Sequence, residues 1–97
     1  MSEIPFAWDS IKAEINREKH GVSFEEAATV FGDPLAVIFD DEGHSTYEDR
    51  EIIVGHSLND CLLFVCFIER DGQIRIISDR RATPREQRDY VSGTIPG

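Results

Sequence analysis

A chain of 97 residues, 40% of them apolar, is long enough for one domain with one core and too short for two. No apolar run approaches bilayer length, and the N-terminus lacks the basic start and apolar stretch of a secretory signal, which excludes a membrane span and points to the cytoplasm. The net charge of −9 excludes long-range attraction to nucleic acid but is unevenly spread: residues 1–60 carry 14 acidic and four basic side chains, residues 70–97 four acidic and six basic.

In chain order, Asp9 reads as the N-cap of a helix from Ser10 to His20, with Trp8, Ile11 and Ile15 as its apolar stripe and Gly21 as a left-handed stop. Ser23-Phe24-Glu25-Glu26 reads as a capping box opening a second helix, buried through Phe24, Ala27, Ala28 and Phe31 and ended by Gly32-Asp33-Pro34. The period then becomes extended. Leu35 to Phe39 forms a strand, Asp40 to Ser45 an acidic loop, and Arg50 to Leu58 a second strand. After a turn at Asn59-Asp60, the run Cys61 to Ile68 is apolar at every position, as in a central strand covered on both sides. Cys61 and Cys66, five apart on that run, point to opposite faces and cannot bridge each other; two buried thiols fit a reducing compartment.

Asp71-Gly72 between two strands predicts a type I′ hairpin. The fourth strand runs from Gln73 to about Asp79. Thr83-Pro84-Arg85-Glu86 is another capping box with proline at the first helical position, opening a short helix to about Val91 that Gly93 ends. The expected fold is α+β: two N-terminal helices, a four-stranded antiparallel meander sheet and a short C-terminal helix. It forms one domain over residues 1–97, with its core over about 6–91 and a loose tail at 92–97.

Four segments, Phe6-Ala7-Trp8-Asp9 with Lys12 and Asn16, Lys19 to Ala27, Phe31 with Asp33-Pro34, and Arg75 to Thr83 followed by Glu86, Arg88 and Tyr90, together resemble the BrnT family of bacterial type II toxins. His44-Ser45, Glu48-Asp49-Arg50 and the strand holding Gly55 add to the pattern, so the resemblance covers residues 6 to 90. It implies a RelE-like sheet flanked by helices, ribonuclease activity, and a cognate BrnA-like antitoxin encoded alongside. That antitoxin would bind the toxin in an oligomeric complex and repress the operon, so that DNA is reached only through the antitoxin. Two positions depart from the family pattern. Asp79 stands where a small residue is common, and Asp60-Cys61 where a glycine-arginine pair is frequent.

Metal-free RNA cleavage needs a base for the 2′-hydroxyl, cations for the charged phosphorane and an acid for the departing 5′-oxygen. Arg80 and Arg81 are the first candidates, since they end a strand at the entry to a helix N-terminus; pairing with an acid such as Glu48 or Asp49 is the competing role. Arg75 shares a face with Asp79 and Arg81 if the strand is regular. Lys19 and His20 end the first helix, where cations also stabilise the helix terminus, and imidazole exchanges protons near neutral pH. Glu48 is a candidate base. Arg50, Arg70 and Arg85 are candidate RNA contacts, and Arg85, Arg88 and Tyr90 candidate antitoxin contacts. Phe64, with Trp8, Phe24, Phe31 and Phe67, reads as core. The histidines and cysteines lack metal-ligand spacing, and no metal or other cofactor is expected. No glycine-rich phosphate loop or nucleophile elbow supports a metabolic enzyme. The expected function is a metal-independent endoribonuclease that inhibits translation and is neutralised by an antitoxin. The alternative, motivated by the charge and by Asp79, is an inactive interaction module that binds an antitoxin-type partner and takes part in autoregulation.

Overall fold

The computed structural model describes residues 5–41 and 49–95. Its elements are β1 (Phe6–Ala7), α1 (Ser10–His20), α2 (Phe24–Thr29) running into a 3-10 turn (Val30–Gly32), β2 (Val37–Asp40), β3 (Arg50–His56), β4 (Leu62–Arg70), β5 (Gln73–Arg81) and α3 (Pro84–Ser92). No helix among the described residues is long and apolar enough to cross a membrane.

The class is α+β, but the sheet has five strands in the order β1-β5-β4-β3-β2 and is mixed. The added strand, β1, runs parallel to β5, pairing Phe6 with Ile74 and Ala7 with Arg75. A two-residue strand carries no readable period, which is why the expectation of a four-stranded antiparallel meander fell one strand short. The β4–β5 hairpin turns as expected, with Asp71 and Gly72 both at positive φ (57° and 75°).

Local signals set the helix ends. Asp9 Oδ1 accepts from the Ile11 and Lys12 amides at 2.8 and 3.1 Å, and Gly21 closes α1 at φ 74°. The face that docks α1 is not the isoleucine stripe: Ile11 is 70% exposed and Ile15 59%, while Ala13 and Asn16 turn inward. Asn16 makes the docking contact with β5, so the buried side of this helix is fixed by a polar bond rather than by apolar periodicity. At α2, Ser23 Oγ accepts from the Glu26 amide at 3.0 Å, but Glu26 does not complete the expected box. Its carboxylate instead accepts from Ser57 Oγ at 2.7 Å, tying α2 to the turn after β3. The box at α3 is complete, with Glu86 accepting from the Thr83 amide at 2.9 Å and Thr83 Oγ1 from the Glu86 amide at 3.1 Å.

The core lies on one face of the sheet, where Ile53, Leu63, Val65, Phe67, Ile74 and Ile76 meet Val22, Phe24, Ala27 and Val30 from the α1–α2 layer. The register puts Ile52, Cys66, Phe64 and Val37 on the other face. There Val54 and Ile68 are buried, but Phe64 and Cys66 are only half-buried. The central strand is therefore covered on one side and partly open on the other, contrary to the reading of its unbroken apolar run. Phe64 belongs to this open face and not to the core. No disulfide links Cys61 and Cys66.

Two backbone details, one on β5 and one on β3, fix which way the neighbouring side chains point and how closely the layers approach. On β5, Ser78 pairs with Cys66 but Ile76 pairs with Phe67, so Ile77 is an extra, bulged residue. The bulge reverses parity: Asp79 and Arg81 face the helices, whereas Arg75 joins Arg80 on the open face. The expected grouping of Arg75 with Asp79 and Arg81, which assumed a regular strand, is thereby corrected. On β3, Gly55 sits where a Cβ would lie 2.8 Å from Ala36 Cβ, 2.9 Å from Asp33 Oδ2 and 3.1 Å from Val30 Cγ1. Gly55→Ala should accordingly lose about 1–3 kcal/mol by overpacking. A urea midpoint equal to that of the wild type would contradict this close approach.

Candidate functional site

The strands sort charge by parity. Arg50, Arg70, Arg75 and Arg80 occupy positions on the open face, while their acidic neighbours Glu51, Glu69 and Asp79 fall on the helix-covered face. Arg50 and Arg75 flank Ile68 across three adjacent strands. A chain with a net charge of −9 thus presents four arginines on one side of its sheet.

On that face a cleft of about 460 Å³ is floored by Ile52, Phe64, Cys66 and Ile77, with His20, Asp41, Arg50, Ser78, Asp79 and Arg80 around it. Arg80 is the best-defined of these. Its guanidinium carbon lies 4.6 Å from the centre of the Phe64 ring, and its Nη1 and Nη2 donate to the two Glu86 oxygens at 2.7 and 2.9 Å. The hydrogen bonds from Arg80 hold the Glu86 carboxyl down at about 2, and Glu86 in turn raises the Arg80 guanidinium above its ordinary value. Arg80 is ion-paired, as the competing reading allowed; its partner among the described residues is Glu86 and not Asp49, and Glu48 lies outside them.

Other candidates divide by position. Arg81, on the helix-covered face, brings its Nη1 to the end of α1, 4.0 Å from where a Cβ on Gly21 would sit. Lys19 is exposed on the same turn. Arg70 and Arg75 line a second cleft, about 570 Å³, at the hairpin end of the sheet with Pro5 and Gln73. Arg50 joins the first cleft. Arg85 and Arg88 are exposed on α3. Tyr90 is engaged within the chain, donating to the Leu35 carbonyl at 3.0 Å and packing edge-on against His56 at 5.6 Å. Glu48 and His44 lie outside the described residues.

Asp79 does not face the Arg80 guanidinium. It is 1% exposed beneath α1, where Asn16 Nδ2 donates to its Oδ1 and, at 3.0 Å, to its carbonyl; Asn16 Oδ1 accepts from its amide at 3.2 Å. Oδ2 has no hydrogen-bond partner among the described residues. Burial pushes the carboxyl up to about 7, the Asn16 hydrogen bond pulls it down, and nearby Glu26 adds to the rise.

Residue-by-residue reading missed the Phe64 platform and the Glu86 clamp. The capping box identified Glu86 as a helix-start residue, but nothing in the spacing paired it with Arg80 across the strand end. Arrayed this way, the open face can bind phosphates through arginine forks and place an imidazole at the cleft's edge.

A model of the family described as "Ribonuclease toxin, BrnT, of type II toxin-antitoxin system" matches residues 8–86. Among solved structures, the chain is similar to the crystal structure of the Brucella abortus ribonuclease toxin BrnT. The identity is 24% and the TM-score 0.64, over 84% of this chain and 99% of that one, a likeness of fold. No curated protein matches the chain.

Proposed function

Because the chain belongs to the BrnT family of ribonuclease toxins of type II toxin–antitoxin systems, we propose that it is a metal-independent endoribonuclease that inhibits translation and binds RNA on the open face of its sheet. The observation that carries this reading is the sorting of Arg50, Arg70, Arg75 and Arg80 onto one face of an otherwise acidic protein. Phosphate binding at short range needs local positive charge, whatever the net charge.

In this reading Arg80 stabilises the charge that builds on the phosphorane, His20 moves a proton at the 2′- or 5′-oxygen, and Arg81, which starts from the helix-covered face, adds positive charge from the end of α1 and does not share Arg80's phosphate. Arg75 and Arg70, at the far end of the same face, hold neighbouring phosphates and set the direction of the strand. Arg50 binds within the cleft. Lys19 adds positive charge beside His20, and Arg85 extends the phosphate track onto α3. Glu48 remains the candidate base. Asp79 lies on the face opposite Arg50, Arg70, Arg75 and Arg80, which removes one motive for the alternative of an inactive interaction module.

Membership of a type II family implies an antitoxin partner. We place a BrnA-like antitoxin's contacts on α3, at Arg85, Arg88 and Tyr90, in a cytoplasmic oligomeric complex that reaches DNA through the antitoxin. The test is to incubate the purified free protein with RNA in EDTA and, separately, to induce it in cells with and without the adjacent gene product. RNA cleavage and growth arrest relieved by the neighbour are expected. Intact RNA together with normal growth would defeat the proposal.

A further inference from the structure

The ion pair between Arg80 and Glu86 can be read in two ways. Glu86 either hides Arg80 from RNA or holds it for RNA, and the atoms involved decide between them. A guanidinium has two edges that can grip an oxyanion with paired bonds: the end formed by Nη1 and Nη2, and the side formed by Nε and Nη2. Glu86 takes the end, through Nη1 at 2.7 Å and Nη2 at 2.9 Å, and the second Nη1 hydrogen goes to the Arg81 carbonyl at 3.3 Å. Among the described residues these bonds use three of the five N–H groups and leave the side edge, Nε and one Nη2 hydrogen, to face another oxyanion. Phe64 supports one face of the guanidinium plane, and Arg80 lines the cleft.

Glu86 is itself fixed. Its backbone amide donates to Thr83 Oγ1, and its Oε1 accepts from the Thr83 amide at 2.9 Å, so the capping box locks the carboxylate that locks the arginine. α3 buries none of its residues. Its first turn therefore contributes little to the core, and its ordered feature is this clamp.

We infer that Glu86 is a positioning residue: it holds Arg80 over Phe64 with the Nε–Nη2 edge presented to an RNA phosphate. The inference rests on the proposed ribonuclease activity and concerns how its central arginine is aimed. A long side chain left free would have to be ordered anew each time RNA binds, whereas a clamped one is already in place.

The test uses Glu86→Gln, which can still accept from the Thr83 amide and so keeps the helix start. Single-turnover cleavage of a short single-stranded RNA is measured with RNA affinity and with the Arg80 Nε–H resonance in a nitrogen-15 spectrum. Expected are a rate lower by about 10- to 100-fold, as when supporting hydrogen bonds around a reactive group are lost, and affinity equal to or tighter than wild type, because a negative charge is gone. The Arg80 resonance should move from a held position to that of a free side chain. The double variant Arg80→Ala/Glu86→Gln should be no slower than Arg80→Ala alone. Faster or unchanged cleavage by Glu86→Gln, beside an impaired Arg80→Ala, would overturn the inference and, if faster, make Glu86 an inhibitory contact. Wild-type protein that does not cleave, or Arg80→Ala at the wild-type rate, would instead defeat the functional reading itself.

Discussion

Arg80→Ala is expected to lower RNA cleavage by the free protein about 10²- to 10³-fold, the size of effect seen when one preorganised donor to a developing oxyanion is removed. The basis is positional. Arg80 lies in the cleft over Phe64 and is gripped from behind by Glu86. Arg80→Lys should recover little of the loss, because a lysine keeps the charge but cannot grip Glu86 and a phosphate with two separate forks. The exposed pair of Arg17 with Glu14, at 3.3 Å on α1, supplies the control: Arg17→Ala should cleave as wild type and change stability by less than about 1 kcal/mol. Cleavage assays in EDTA, with circular dichroism to confirm folding, read this directly. An Arg80→Ala protein at full rate would remove Arg80 from the mechanism.

The second large effect concerns stability and pH. The Asp79 carboxyl, pushed up to about 7 in the folded protein, has an ordinary value of 3.8. Between those two values the folded state keeps the proton that the unfolded chain has lost. Stability therefore falls as pH rises from about 4 to about 7, then levels off. At roughly 1.4 kcal/mol per unit, the wild type should be about 2–4 kcal/mol less stable at pH 8 than it would be with a neutral group in the same place. Asp79→Asn supplies that group, since its carbonyl oxygen can accept from Asn16 as Asp79 Oδ1 does. The variant should match the wild type near pH 4 and exceed it at pH 8, measured by urea midpoints across that range. Parallel stability curves for the two proteins would show that Asp79 does not carry the pH dependence. Other groups act in the acid range: Glu86, held at about 2, contributes stability that is lost as pH falls below the ordinary carboxylate value of 4.5.

Much of the fold was legible because its signals are local. Asp9, Gly21, Thr83 with Glu86, and Asp71-Gly72 each act within a few residues, and each appears where the sequence placed it. Contacts distant along the chain were not legible. Ile11 and Ile15 outrank Asn16 on any apolar scale, yet Asn16 is buried because its amide completes the free edge of β5, 63 residues away. β1 exists only through its pairing with β5. The candidate site divides in the same way. The alternation of Arg50 with Glu51 and of Glu69 with Arg70 can be read as opposite faces of a strand. On β5 that reading fails, because Ile77 adds a residue that no local pattern announces. The arginines could be named as candidates from the sequence, but their grouping by face required the register.

That extra residue gives β5 a property resembling a reading frame. The open face is specified by counting, and Ile77 resets the count between Arg75 and Arg80. Substituting Ile77 leaves the count intact, and deleting it would close the bulge and leave Arg75 and Arg80 four positions apart, still on one face; the two separate only if the strand pairs regularly with Ile77 kept, because residues five apart alternate sides. In this strand it is the pairing register, and not the composition of the segment, that displays Arg75 and Arg80 on one surface.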